Sequence, residues 1–401
     1  MTPPLRRTRG DIVATGIIAA VSAVAVAAAV ATAPIRSAEL TPAAGELADE
    51  GKLAAAPAAL SETFRLPDDS PGRRPLVAEG LLITHSGTTL TATTAEGETA
   101  WTYKRDAALC SLSQAWGKVV ATYRGPAGCG DVVAIEALTG HYAGTRSAPA
   151  PEQVAGLSSN DKVGYSSSTR TELWRSDLVR TVEYGAVEAP QEAAMQPHQC
   201  TQTSALTRTE LLAVTESCGD GSFLRLQSTT PKDSREPDIH ASVPIPDGAY
   251  LVAVGQQAAA VYDPAAATVS SYDKQGRALA SAPAPGLGEG ETIDATLHVP
   301  ANADLPHHMT YFSGGRLLLF SPTDLRLTAT IGDALGTGVA AGDRLLYATE
   351  RGVAVANWDT GETETVIPVD RAGYAGPVFV DSAGAGVVEK RGSELVYLAA
   401  N

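Results

Sequence analysis

The 401-residue sequence is short of aromatic residues, with five Phe, twelve Tyr and four Trp, and it carries only three Met and four Cys. It has no surplus of positive charge. Thirty Lys and Arg stand against 45 Asp and Glu, for a formal net charge of −15 and a pI of about 4.9. A nucleic-acid partner is thereby excluded, because displacing phosphate counterions requires a cationic face. Several catalytic signatures are missing as well. There is no Gly-x-x-x-x-Gly-Lys phosphate loop, no His-Glu-x-x-His pair and no Gly-x-Ser-x-Gly elbow. Neither Cys-x-x-Cys nor clustered His occurs, so a structural zinc site lacks its ligands.

The strongest feature present lies at the N-terminus. From Ile12 to Ala33 the chain carries no charge. As a helix that stretch spans roughly 33 Å, which matches a bilayer core. Arg6, Arg7 and Arg9 precede it, and the acidic Glu39, Glu46, Asp49 and Glu50 follow. The positive-inside rule then predicts a cytoplasmic tail over 1–11, a transmembrane helix over 12–33 and an extracytoplasmic remainder. Cleavage after Ala31-Thr32-Ala33 is the competing reading, but Pro34 would sit just past the cut. Both readings export the body. Residues 34–63, rich in Ala, Pro and Glu, read as a stalk.

An even number of cysteines outside the cytoplasm implies disulfides at Cys110, Cys129, Cys200 and Cys218. Three connectivities are possible, and pairing within each local couple, Cys110 with Cys129 and Cys200 with Cys218, is the natural one. His198-Gln199-Cys200 is the one close His–Cys approach.

From about residue 65, Gly and Pro punctuate the chain every few residues. A unit of short strands and turns recurs from Glu79, Gly117, Asp161, Glu210, Ala249, His308, Gly342 and Gly376. The starts lie about 42 residues apart on average, the spacing of a four-stranded propeller blade. Leu81 with Ile83, and Val353 with Val355, alternate at period two. The expectation is an all-β propeller of seven or eight blades over 64–401, with a strand near Phe64–Leu66 joining the last blade.

In Ala95-Glu96-Gly97-Glu98-Thr99-Ala100-Trp101 a turn glycine is followed four residues later by tryptophan. This resembles the repeat of pyrroloquinoline-quinone-type β-propellers, and the chain as a whole, anchor plus acidic propeller with two local cysteine pairs, looks like actinobacterial membrane-anchored propeller proteins. The resemblance implies that Gly97 and Trp101 pack blade against blade, and that Gly140 and Gly361 close equivalent turns in Ala137-Leu138-Thr139-Gly140 and Trp358-Asp359-Thr360-Gly361. The position four past Gly140 is Gly144 and that past Gly361 is Thr365, so the tryptophan is missing there. Trp116, Trp174 and Trp358 read as packing residues too.

Quinoproteins of that type use adjacent cysteines, a calcium site and a base Asp. The chain has no adjacent cysteines and no such acidic cluster, so no cofactor, metal or catalytic residue is expected. His307-His308, His298, the Gly286–Gly290 run and Asp220-Gly221-Ser222 read as loops and turns. The functional expectation is a non-catalytic platform binding unidentified proteins of the cell envelope. The alternatives are a quinone-dependent or other propeller enzyme, or a small-ligand sensor using the central channel.

Overall fold

The structure, a computed structural model, describes residues 7–187, 195–196, 199–288, 290–306 and 308–401. The one α-helix among these residues, Arg9–Thr32, opens with a reciprocal cap. The Thr8 hydroxyl accepts from the Asp11 amide at 3.2 Å, and the Asp11 carboxylate accepts from the Thr8 amide at 2.8 Å. Two otherwise orphaned donors are thus satisfied. None of the helix is buried, and its mean hydropathy reaches 2.4. At roughly 36 Å it is long enough to span a membrane. This single helix anchors the chain.

The remainder is an eight-bladed β-propeller. Its antiparallel sheets cover 76–104, 109–147, 155–185, 201–245, 250–283, 302–331, 339–368 and 378–400. In each, the chain meanders outward from an innermost strand beside the axis. The middle strands read as near-continuous apolar runs, such as Arg344–Thr349 (RLLYAT), because neighbouring blades cover both their faces. The outer strands alternate or lie open, as in Thr363–Pro368 (TETVIP).

The core is a ring of shared clusters. Leu81, Ile83, Trp101 and Tyr103 of the first blade pack with Val119, Val133 and Ile135 of the second. Leu317, Leu319 and Ile331 of the sixth pack with Leu345, Tyr347 and Trp358 of the seventh. Leu82 of the first meets Val388, Leu395 and Tyr397 of the eighth.

The ring closes with strand Leu60–Pro67, which supplies the outer strand of the eighth blade by pairing with Glu394–Ala400. Phe64 lies opposite Tyr397 with ring centroids 5.2 Å apart. Just past this strand, Asp68 joins the two sides of the seam. Its carboxylate accepts from Lys390 Nζ at 2.6 Å and from the His85 amide at 3.0 Å, and all three residues are buried. Arg371 makes a bidentate pair with the fully buried Glu389, at 2.7 and 2.9 Å, and donates to the carbonyls of Thr349 and Gly352 in the seventh blade.

The segment expected as a stalk over 34–63 is largely part of the ring. Strand Glu39–Thr41 adds a fifth strand to the first blade, with Leu40 opposite Tyr103. Leu53 is buried in the cluster of the seventh and eighth blades. Composition alone suggested a free linker because it holds few large apolar residues, but glycines on the ring allow its backbone to dock closely. Only residues 34–38 separate the helix cap at Ala33 from Glu39. Five residues reach at most ~18 Å, so the first blade is held near the bilayer.

Candidate functional site

Because successive strands are antiparallel, turns alternate between the two ends of the ring. Turns joining first to second and third to fourth strands form one face, here the lower. Second-to-third turns and the loops between blades form the upper. The inner strands surround an axial cavity of about 870 Å³, within the usual range for small-molecule sites.

Each end is crossed by a loop. Above, the connection from fifth to sixth blade carries a small hairpin, Thr292–Ile293 paired with Leu297–His298. It reaches the third blade, where Ser168 Oγ donates to Asp294 at 2.6 Å, and the first-blade approach, where Arg73 pairs with Glu291. His298 stacks on Tyr250 at 4.3 Å, and burial holds its imidazole below the ordinary pKa. Below, residues 43–55 form a strap. The Leu47 amide donates to the Leu138 carbonyl, and the amides of Gly384 and Gly342 donate to the carbonyls of Gly51 and Leu53.

The charges in the cavity are mostly paired. Arg74 meets Asp381 at 3.2 Å, and Arg208 meets Asp304 at 2.8 Å. Asp304 is surrounded by protein although open to the cavity. Burial raises its pKa, opposed by Arg208, Arg74 and Lys52. Glu79, on the first blade's lower turn, is also raised, first by burial and then by Asp49 of the strap, with Lys52 opposing. The lining also includes the uncharged side chains of Gln114, Ser158 and Asn160 and the apolar Leu112, Trp116 and Phe379.

The four cysteines form two disulfides, Cys110–Cys129 and Cys200–Cys218. Cys110 lines the cavity. Cys200 and Cys218 lie with Glu216 in a group of metal-ligand type. Their sulfurs are bonded to each other, however, and Glu216 is held by Arg225 Nε at 2.5 Å and Tyr184 OH at 2.7 Å. The group holds a strand pair together and offers no open coordination.

Trp101 and the turn glycines sit between blades, away from the cavity. Trp101 Nε1 donates to the Ala137 carbonyl at 2.7 Å, and its side chain covers Gly140. Gly97 lies against the Phe64 ring, and Gly361 against Ala329 of the sixth blade. Trp174 is buried and donates to Glu172 at 2.9 Å. Trp116 differs: it is half-buried at the lower mouth, with a positive φ of 56°. His298 is on the upper face and His308 stacks on Trp358 on the lower, so the two do not converge. His198 and His307 lie outside the described residues. Gly288, in the glycine-rich run, accepts from Ser313 Oγ in the upper loop, and Ser222, in the Asp220-Gly221-Ser222 turn, donates to Asp247 at 2.7 Å.

The paired charges were beyond reach of the sequence. Arg74 and Asp381 are brought together by ring closure across most of the chain. The Arg73-Arg74 doublet was the one local signal.

A quinone site of that type needs free carboxylates for calcium and a pair of adjacent cysteines beside the ring system. Among the described residues, Asp304, Asp381 and Glu291 each face a guanidinium, and Cys110 is bonded to Cys129. These residues do not fit that group.

No protein-family model matches the sequence, and no curated protein matches it. Solved structures do. BamB from Moraxella catarrhalis shares 13% identity at a TM-score of 0.50, over 85% of this chain and 99% of its own. The quinohemoprotein alcohol dehydrogenase ADHIIG from Pseudomonas putida HK5 shares 12% at 0.53, over 85% and 76%. The dihydro-heme d1 dehydrogenase NirN shares 12% at 0.51, over 81% and 72%. Likeness at this identity establishes the propeller fold alone.

Proposed function

We propose that this chain is an extracytoplasmic platform: a propeller held at the outer side of a membrane by its N-terminal helix, presenting its upper face to other envelope proteins without catalysing a reaction. The observation that carries the reading is the pair of disulfides within the ring, which persist in oxidising compartments. The arginines before the helix and the acids after it support the same orientation.

A binding role is supported by how the charged groups are used. The buried ones brace the blades. Glu172 of the third blade pairs with Arg146 of the second and with Arg170 and Arg180 of its own, and Glu183 with Arg235 of the fourth. The cavity-lining serines that meet a carboxylate, Ser70 and Ser159, donate to Asp68 and Asp161, each of which also faces a lysine. The upper face offers eight second-to-third turns and the inter-blade loops, the loop-rich surface on which recognition is usually built.

The test is affinity capture from native membranes with the full-length chain in mild detergent. The account expects a defined set of envelope proteins to be retained. It also expects them to be lost when the turns at Gly219-Asp220 and Glu350-Arg351 are replaced, with the thermal unfolding midpoint unchanged. Recovery of nothing above background would contradict it.

A further inference from the structure

The strap lies on the ring through unusually close backbone contacts. A Cβ on Gly80 would come within 2.5 Å of Glu50 Cβ, and one on Gly342 would collide with the Ala54 carbonyl oxygen. A Cβ on Gly384 would sit 3.5 Å from Glu50 Cβ. Three neighbouring blades, the first, eighth and seventh, thus carry glycine on the same lower turn, and the strap runs over all three. The contact is specified by sequence but held lightly. Leu53 is the strap's one buried large apolar residue. Its backbone bonds to the ring are 3.1–3.3 Å long, and Asp49 faces Glu79 across the contact. Segments with few buried apolar groups open well below the global unfolding free energy. This one crosses the mouth of the cavity, since Asp49, Gly51, Lys52 and Leu53 line it.

What the cavity could hold follows from what its walls leave unused. On the walls beyond the strap the guanidinium and carboxylate groups compensate one another through Arg74–Asp381, Arg208–Asp304 and Arg73–Glu291, and at the strap itself Lys52 stands near the facing carboxylates of Asp49 and Glu79. A charged ligand would have to break a pair and leave a partner uncompensated, which is costly. Beyond these groups the unused hydrogen-bonding capacity of the wall is neutral, on Gln114, Ser158 and Asn160, and the same lining carries apolar surface from Leu112 and Trp116. Hydroxyls on one edge and C–H on the other describe a sugar or related polyol.

We propose that the axial cavity binds an uncharged, hydroxyl-rich small molecule of the mono- or disaccharide class, admitted through the lower mouth when the strap lifts. This reading does not depend on a protein partner. Capture from membranes could fail while sugar binding stands, and the reverse.

The test uses the full chain in detergent with glucose, galactose, arabinose, mannose, maltose and trehalose as probes. Glucuronate and glucosamine serve as charged counterparts. Calorimetry and thermal shift are expected to show saturable binding of at least one neutral sugar, weakened tenfold or more by Gln114→Leu with Asn160→Leu. Charged counterparts should bind at least tenfold more weakly. The strap is tested with Glu50→Cys plus Gly384→Cys, whose Cβ positions lie within the range that disulfides span. The crosslink is expected to slow sugar association at least tenfold, relative to each single variant. Absence of binding by every neutral probe, or tighter binding of a charged one, would overturn the site. Unchanged association in the crosslinked protein would overturn entry through the lower mouth. If the crosslinked variant does not fold, amide exchange of residues 47–53 in the unmodified chain decides the gate. Exchange as slow as in the inner strands would overturn it.

Discussion

Trp101 and Gly140 occupy one site between the first and second blades: the indole lies where a side chain on residue 140 would stand, 2.7 Å from its Cβ. The same place is filled differently around the ring. Phe64 covers Gly97 where the eighth blade meets the first, and Ala329 covers Gly361 where the sixth meets the seventh. Between the second and third blades the sizes are exchanged. Gly144 stands at the tryptophan's position, and Leu178, 3% exposed, fills the space from the neighbouring turn. The rule is one filled volume per junction, and either blade can supply the filling. Dense packing requires the filling and leaves its source free.

A thermodynamic cycle on this pair should show strong coupling. Trp101→Ala removes a buried aromatic and its bond to Ala137, for a loss of about 3–5 kcal/mol. Gly140→Ala overpacks the site at a φ of 69°, for a loss of about 1–3 kcal/mol. In the Trp101→Ala background the overpacking part of that second loss should vanish. Denaturant unfolding of the four proteins measures it, and additive losses would contradict the shared-site account.

The seam makes a separate prediction. Asp68→Ala leaves Lys390 buried without its carboxylate and frees the His85 amide. Removing one member of a buried pair costs about 3–5 kcal/mol. Asp68→Ala with Lys390→Met should recover part of the loss. Hydrogen exchange should show the opening first in Leu60–Pro67 and Glu394–Ala400. Uniform loosening of all eight blades would count against a seam closed at Asp68.

The disulfides close loops with sequence separations of 19 and 18 residues, each stabilising by about 3 kcal/mol in the chain-entropy model. Peptide mapping without reductant should recover Cys110 linked to Cys129 and Cys200 linked to Cys218. Reduction should lower the unfolding midpoint. Any cross-pairing, or an unchanged midpoint, would refute this.

The strap contact should tighten as pH falls. Burial and Asp49 raise Glu79 in the folded protein above its ordinary value, with Lys52 opposing. The folded state therefore binds that proton more strongly than the unfolded state. Stability from this group is gained as pH drops through the raised pKa toward the ordinary glutamate range, and lost as pH rises again. Amide exchange of residues 47–53, corrected for intrinsic rates, should slow over that window. Glu79→Gln should abolish the dependence. An identical pH profile in the variant would contradict the assignment.

Much of the architecture was legible because it is written locally. The apolar run at Ile12–Ala33, period-two alternation and turn glycines all lie within a few residues of one another. The closing strand was readable from Phe64–Leu66, a short β-forming run left before the first full blade. Blade number was less so, because residues 290–301 hold a hairpin over the cavity mouth instead of a further blade. The strap reads as a stalk in the sequence for a physical reason. Its docking is encoded in Gly80, Gly342 and Gly384, outside the segment itself, and Leu53 is the one large apolar side chain it buries. The cavity's ion pairs, such as Arg74 with Asp381, were illegible on the same ground.

The most direct measurement is thiol labelling in intact cells of the full-length Lys232→Cys variant, at an exposed loop position, with a membrane-impermeant maleimide. The account predicts modification without permeabilisation, with the protein remaining in the membrane fraction. Labelling that appears only after the membrane is opened would place the ring in the cytoplasm and contradict it.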